Sequence, residues 1–281
     1  MEFDIRPGIE YARHDGATLL GDLYAPKEDG RHHPVIVAVH GGGWQLGSRD
    51  SYRHWGAFLA QRGYALFAAG YRLSKPGEKS YPQAIHDIRA AVQFVKGKGE
   101  ALKLDAARVA LMGDSAGAHV AALVALAGDG PLFAGAYRDD PHAGLATKVK
   151  AVIGIYGVYD LFQQWNHDLG PRLRDSIVEK FLGTAPMENR RIFFDASPLS
   201  HVTTDNNATA FLLGYGTEDD IVDRHAQSEV FLTALKQARF FVRTVVIPGA
   251  GHFWMSDPIE EAGSFTAHLA PRLLRFLAEK L

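Results

Sequence analysis

A serine stands between two glycines where an apolar run meets an alanine-rich segment: Gly113-Asp114-Ser115-Ala116-Gly117 follows residues 108–112 and opens residues 116–127. The run is short and continuous, as in a strand buried on both faces. The alanine-rich segment is apolar nearly all round, as in a helix packed against a sheet. A strand that turns so sharply into a helix crowds its own backbone, so small residues are needed two positions before and after the corner. Gly113 and Gly117 fill those positions. The same residue types would also suit a glycine-rich turn in which Ser115 only caps the helix.

The surrounding pattern agrees with a strand-to-helix junction. Residues 9–13 and 19–24 flank Asp15-Gly16 and read as an antiparallel hairpin. Residues 34–39 form a second continuous β-branched run; helical spacing over 52–62 ends at Gly63, and residues 64–69 read as the next strand. An amphipathic helix over 81–95 leads to the strand before Ser115. Beyond the alanine-rich helix, strands are expected at 149–155, 210–213 and 240–247, and helices at 224–238 and 260–280. Strands separated by helices require crossovers, so the expected fold class is α/β: a mostly parallel eight-stranded sheet with helices on both faces. Residues 159–207 break the alternation with mixed tryptophan, charge and proline. Two helices are expected there, near 161–165 and 173–182, in a small cap insertion.

Composition narrows the chemistry. With 281 residues and 47% hydrophobic content, the chain can bury a large core, and a single domain over 1–281 is expected. A net charge of −2 gives no reason to propose nucleic acid or an anionic membrane as partner, so the expected partner is a small molecule. The absence of cysteine removes disulfides, thiolate nucleophiles and zinc–thiolate sites. Thirteen histidines show no tight ligand spacing, so neither metal nor cofactor is expected. The first eight residues do not resemble a secretory signal, and no apolar run approaches the roughly 18 residues of a membrane span. Stable membrane association is therefore not expected, and the expected location is cytoplasmic; the oligomeric state stays open.

A second glycine cluster, His40-Gly41-Gly42-Gly43-Trp44, follows the buried run at 34–39. Successive glycines let backbone N–H groups turn toward an anion without obstruction from Cβ. The N–H groups of Gly42 and Gly43, joined by that of Ala116, are the expected oxyanion hole for a tetrahedral acyl intermediate. A phosphate loop would want a following Lys-Ser or Lys-Thr pair, which is missing.

These two clusters, with Tyr71-Arg72-Leu73 followed by Tyr81-Pro82, resemble the hormone-sensitive-lipase branch of the α/β-hydrolases, the bacterial carboxylesterases. Gly157-Val158-Tyr159-Asp160-Leu161 is similar to a segment of kynurenine formamidases. The resemblance spans nearly the whole chain and implies the α/β-hydrolase fold with a Ser-His-Asp triad cleaving small carboxylic esters through an acyl-enzyme. An arylformamidase or amidase using the same triad is the alternative. A non-catalytic small-molecule receptor on this fold would be expected to lack a triad member, and all three types are present. Two features depart from that branch. Too few residues precede His40 for its N-terminal cap helices, and Ala118 stands where many members carry glycine.

Ser115 needs an imidazole to take its proton and an acid to orient that imidazole. His252, on the loop after the strand at 240–247, is the expected base; His119, His225, His268, His201 and His167 lie on expected helices or in the cap. For the acid, Glu218, Asp219 and Asp220 are neighbours, and the resemblance points to Asp219, with Asp220 the second choice and otherwise a helix cap. Asp114 is read as structural. Trp44, Tyr159, Trp165, Phe253 and Trp254 are candidate pocket residues, of which two are expected to line the pocket and the rest to be core.

Overall fold

The computed structural model describes residues 2–27, 30–171 and 175–281. Eight strands, β1 (Phe3–His14), β2 (Ala17–Pro26), β3 (His33–Val39), β4 (Ala65–Ala69), β5 (Leu104–Asp114), β6 (Ala151–Ile155), β7 (Ala210–Gly216) and β8 (Val242–Ile247), form one sheet in the order β1-β2-β4-β3-β5-β6-β7-β8. The first two pairings are antiparallel and every pairing from β4 to β8 is parallel. The described helices are α1 (Arg53–Ala60), α2 (Gln83–Gly97), α3 (Gly99–Leu102), α4 (Ala116–Ala127), α5 (Leu161–Asp168), α6 (Ile177–Leu182), α7 (Arg190–Asp195), α8 (Val230–Gln237) and α9 (Phe265–Lys280). This is the α/β-hydrolase fold. No described helix is long and apolar enough to cross a membrane.

Period-2 alternation divides the central strands between two cores. Val35, Val37 and Val39 of β3 pack with Ile85 and Ile88 of α2, Val120 and Leu123 of α4, and Phe231 of α8. Ile36 and Ala38 face the other way, with Trp55 and Leu59 of α1 and Leu269 and Leu273 of α9. A strand buried on both faces is apolar throughout, which is why this run is unbroken in the sequence.

The hairpin is longer at its open end than the expected residues 9–13. Residues 3–8 of β1 are mostly exposed, and their backbone pairs with β2 out to Phe3 opposite Pro26, so the short Phe3-Asp4-Ile5-Arg6 alternation belongs to the strand. Asp15 (φ 52°) and Gly16 (φ 77°) both adopt the left-handed conformation that a two-residue hairpin turn requires. The stretch expected as one helix at 224–238 opens with a π-helical turn, His225–Glu229, before α8. Buried within that turn, Gln227 accepts from the N–H groups of Tyr159 and Asp160 and donates to the Asp160 carbonyl. Among the described residues, three α-helices rather than two lie between β6 and β7. The third, α7, is short and is capped by Asn189, whose side chain accepts from Ile192 N–H. Leu173, expected in the second helix, lies outside the described residues, and within them that helix begins at Ile177.

Candidate active site

β4 and β5 flank β3 on opposite sides, and α1 and α4 leave the sheet toward opposite faces. Where successive connections diverge like this, a crevice opens beyond the carboxyl ends of the strands. Val39 pairs with Gly113, so the glycine loop after β3 and the serine turn after β5 start level with each other.

Ser115 sits at φ 51°, ψ −121°, a conformation L residues rarely adopt, and its N–H donates to Ile155 O at 2.9 Å. The flanking glycines are sterically obligatory. A Cβ on Gly117 would lie 2.0 Å from the Val39 carbonyl oxygen, and one on Gly113 would lie 2.4 Å from the backbone of Gly117. The Ser115 side chain meets His252, whose Nε2 is 3.0 Å from Oγ. On the other side of the ring, Nδ1 is 2.7 Å from Asp219 Oδ2, and both side chains are almost fully buried. Asp219 Oδ1 accepts from the N–H groups of Ile221 and Val222, so both carboxylate oxygens are held. The main chain of Asp220 takes part elsewhere, its carbonyl bonding His167 Nε2. The capping role considered for Asp220 belongs to Asp223, whose carboxylate accepts from His225 N–H.

The glycine loop is a tight turn in which Gly42 O accepts from Gln45 and Leu46, while Gly42 (φ 111°) and Gly43 (φ 58°) are left-handed. The N–H groups of Gly42, Gly43 and Ala116 donate to no acceptor among the described residues. Three aromatic residues brace the surroundings. Tyr71 stacks on His40 and its hydroxyl donates to His40 O at 2.9 Å. Tyr52 donates to Asp114 Oδ1, which also accepts Gly41 N–H at 3.0 Å and so ties the serine turn to the glycine loop. Burial pushes the Asp114 carboxyl up to about 6, against the opposing pull of those hydrogen bonds. Tyr156 packs on the His252 ring at 4.3 Å and its hydroxyl accepts from Met255 N–H.

A cleft of about 160 Å³ opens between the glycine loop and the loop that follows His252, walled by Gly42, Asp114, Tyr156, Phe253 and Met255. Of the five candidate pocket residues, Phe253 lines it, 68% exposed with its ring edge-on to His252. Trp44, Tyr159 and Trp254 are instead buried in the core. Trp44 stacks on Phe181 of α6, Tyr159 stacks on Phe231 of α8, and Trp254 packs on Tyr156. Trp165, half-buried on α5, donates to Glu179. The reason is one of position: these rings stand near the site in sequence, but the loops that carry Trp44, Tyr159 and Trp254 turn them onto rings of the core. Sequence reasoning missed Tyr156 and Met255. Tyr156 was findable as the residue immediately after a parallel strand, where this sheet type places its ligand-facing groups.

His119 is not part of this relay. Its Nδ1 accepts from Trp44 Nε1 at 3.1 Å and its Nε2 faces Ala196 O at 2.8 Å, which makes it a neutral imidazole; burial pulls its pKa down to about 4. Among the described residues, no cluster of three His, Asp or Glu side chains is arranged to hold a metal.

The model of the BD-FAE family matches residues 21–235. The chain belongs to that family. The BD-FAE match contains Ser115 and Asp219 but stops short of His252, which β8 and its following loop carry to the site from beyond it. Esterase LipC of Mycobacterium tuberculosis is 30% identical over 249 residues, covering 85% of this chain and 57% of the relative. Ethyl acetate hydrolase of Pseudomonas putida is 30% identical over 275 residues, covering 93% and 80%. The chain spans only part of several curated relatives, 57% of LipC and 54% of the probable carboxylic ester hydrolase LipM of the same organism. Among solved structures, esterase 2 of Thermogutta terrifontis superimposes with a TM-score of 0.78 at 24% identity, covering 99% of this chain and 92% of that one, and so shares the fold.

Proposed function

We propose that this chain is a serine hydrolase that cleaves small carboxylic esters, with Ser115 as nucleophile, His252 as general base and acid, and Asp219 as the group that orients it. The observation that carries this reading is the hydrogen-bonded relay of 3.0 Å from Ser115 to His252 and 2.7 Å from His252 to Asp219. Distances of this kind are what proton transfer between positioned groups requires.

Ser115 Oγ attacks the ester carbonyl carbon while its proton passes to His252 Nε2. Asp219 holds the Nδ1 proton and offsets the charge that develops on the ring. The carbonyl oxygen becomes an oxyanion, received by the free N–H groups of Gly42, Gly43 and Ala116. Collapse of the intermediate expels the alcohol, protonated by His252, and leaves an acyl-enzyme. Water then attacks the acyl carbon, giving a proton to His252; the bond from Ser115 Oγ to the acyl carbon breaks as His252 returns that proton to Oγ, and the acid departs. The relatives named as esterases support an ester substrate. The segment between β6 and β7 acts as a cap on one rim. Two contacts support this: Ile177 lies 3.4 Å from where a Gly43 Cβ would stand, and Phe181 stacks on Trp44.

The test is Ser115→Ala assayed on p-nitrophenyl acetate and butyrate. Turnover is expected to fall by about 10³-fold or more with an unchanged circular dichroism spectrum. Turnover near that of the wild type would remove Ser115 from its role. A wild-type enzyme that turns over N-formylkynurenine but neither ester would replace the ester substrate with an aryl formamide.

A further inference from the structure

A second cavity lies away from the serine, between the edge strand β8 and α9. It measures about 230 Å³ and is lined by Arg243 on β8 and by Arg272, Arg275, Phe276 and Glu279 on α9, with Leu212 and Val245 at its floor. The α9 residues fall at i, i+3, i+4 and i+7, one stripe of a helix, and this stripe borders the strand. Arg243 is aligned with Leu212 in the β7–β8 register and precedes Val245 by two residues, so its side chain leaves on the face that α9 covers. Three guanidinium groups therefore surround one apolar floor.

Their partners do not account for them. Arg272 donates to the His268 carbonyl, and Arg243 lies over the Phe241 ring. Neither they nor Arg275 forms an ion pair among the described residues, and Glu279 is paired with Lys280. Cations favour the last turns of a helix because of its dipole, which explains Lys280 but not an arginine on a strand. A single charge suffices to guard an edge strand against pairing with another chain. Like charges gathered in a chain of net charge −2 repel at separations shorter than the roughly 8 Å screening length, and an anion relieves that repulsion. Guanidinium groups are suited to this because their planar forks match carboxylate and phosphate oxygens.

We propose that this groove binds a small organic anion, a carboxylate or a phosphate monoester that carries a short hydrocarbon or aryl group. The guanidinium groups of Arg243, Arg272 and Arg275 take the head, and Leu212, Val245 and Phe276 take the tail. The site is separate from the serine and does not depend on its chemistry. Arg243 lies four residues before Ile247, roughly 13 Å along the strand from the end that leads to His252.

Isothermal titration of hexanoate, phenyl phosphate and inorganic phosphate into the wild type and the Arg243→Ala/Arg275→Ala variant, at low salt, tests this. At least one organic anion is expected to bind saturably, one per chain and more tightly than inorganic phosphate. Its affinity should fall at least tenfold in the variant and also with added sodium chloride. The variant's hydrolysis of p-nitrophenyl acetate should stay within twofold of wild type. Tighter binding of hexanoate would identify a carboxylate as the ligand, and tighter binding of phenyl phosphate a phosphate ester. No saturable binding, equal affinity in the variant, or inorganic phosphate binding as tightly as both organic anions would overturn the proposal. If the double variant melts early, Arg243→Gln, which preserves most of the side-chain bulk, supplies the same comparison.

Discussion

Asp219 has no freedom left once its hydrogen bonds are counted. Two backbone N–H groups hold Oδ1 and the imidazole of His252 holds Oδ2. Replacing it with asparagine conserves shape but offers an amide where the ring needs an acceptor, so His252 is driven to the tautomer that cannot take a proton at Nε2. Asp219→Asn should therefore lower kcat by about 10³- to 10⁴-fold with little change in melting temperature. Asp220→Asn should remain within about threefold of wild type, because only the main chain of Asp220 is engaged by its neighbours. Stopped-flow or plate assays on p-nitrophenyl acetate separate the two, and equal losses would contradict this division of roles. The three adjacent carboxylates are chemically alike in the sequence, and only the family resemblance favoured one of them. Ser115 was more legible because its geometry demands glycine at both flanks, a steric need that composition exposes. The cleft wall was less legible. Whether an aromatic ring faces a cleft or a core depends on where neighbouring elements place it: Trp44, on the glycine loop, is core, while Tyr156, next to the end of a buried strand, lines the cleft.

At the scale of elements, the strands were readable because burial on both faces leaves an unbroken apolar run, as in β3 and in residues 109–112 of β5. The open end of β1 and the short helix α7 were less so, since the alternation at residues 3–6 is only four residues long before Pro7-Gly8, and a six-residue helix is set by its cap and leaves no helical period. The helix α6 links the insertion to the site. Phe181 stacks on Trp44 at 4.6 Å and packs edge-on against Tyr81, while its carbonyl accepts Tyr81 N–H. Phe181→Ala removes a fully buried ring and should cost about 3–5 kcal/mol. It also loosens the wall behind Gly43, so turnover of a short ester, measured well below the melting midpoint, should fall severalfold. Urea denaturation with a parallel activity assay checks both effects. Loss of stability with turnover unchanged would show that the insertion supports the fold without shaping the glycine loop.

Across the whole molecule, four groups, Asp87 and His119 buried and His86 and Asp114 half-buried, titrate in opposing directions. Burial pulls His86 and His119 down to about 4 and pushes Asp87 and Asp114 up to about 6. The histidines, depressed below their unfolded value of about 6.5, contribute stability that is fully present above that pH and is lost as pH falls toward 4. The aspartates, raised above an unfolded value of about 3.9, contribute stability that is present at low pH and is lost as pH rises through about 6. Over the interval from about 4 to 6 the two pairs cancel, so these groups leave the wild-type protein with a flat stability profile there. Removing one member unbalances it. His119→Asn should be less stable than wild type at pH 7, where it loses the bridge between Trp44 and Ala196. At pH 4.5 the wild type no longer has most of what the neutral imidazole contributed, and the gap between the proteins should narrow by about 2 kcal/mol. Urea denaturation of both proteins at the two pH values measures this difference directly. A gap that is the same at both would mean that His119 does not resist protonation, and that the bridge it forms is not the neutral one its two hydrogen bonds require.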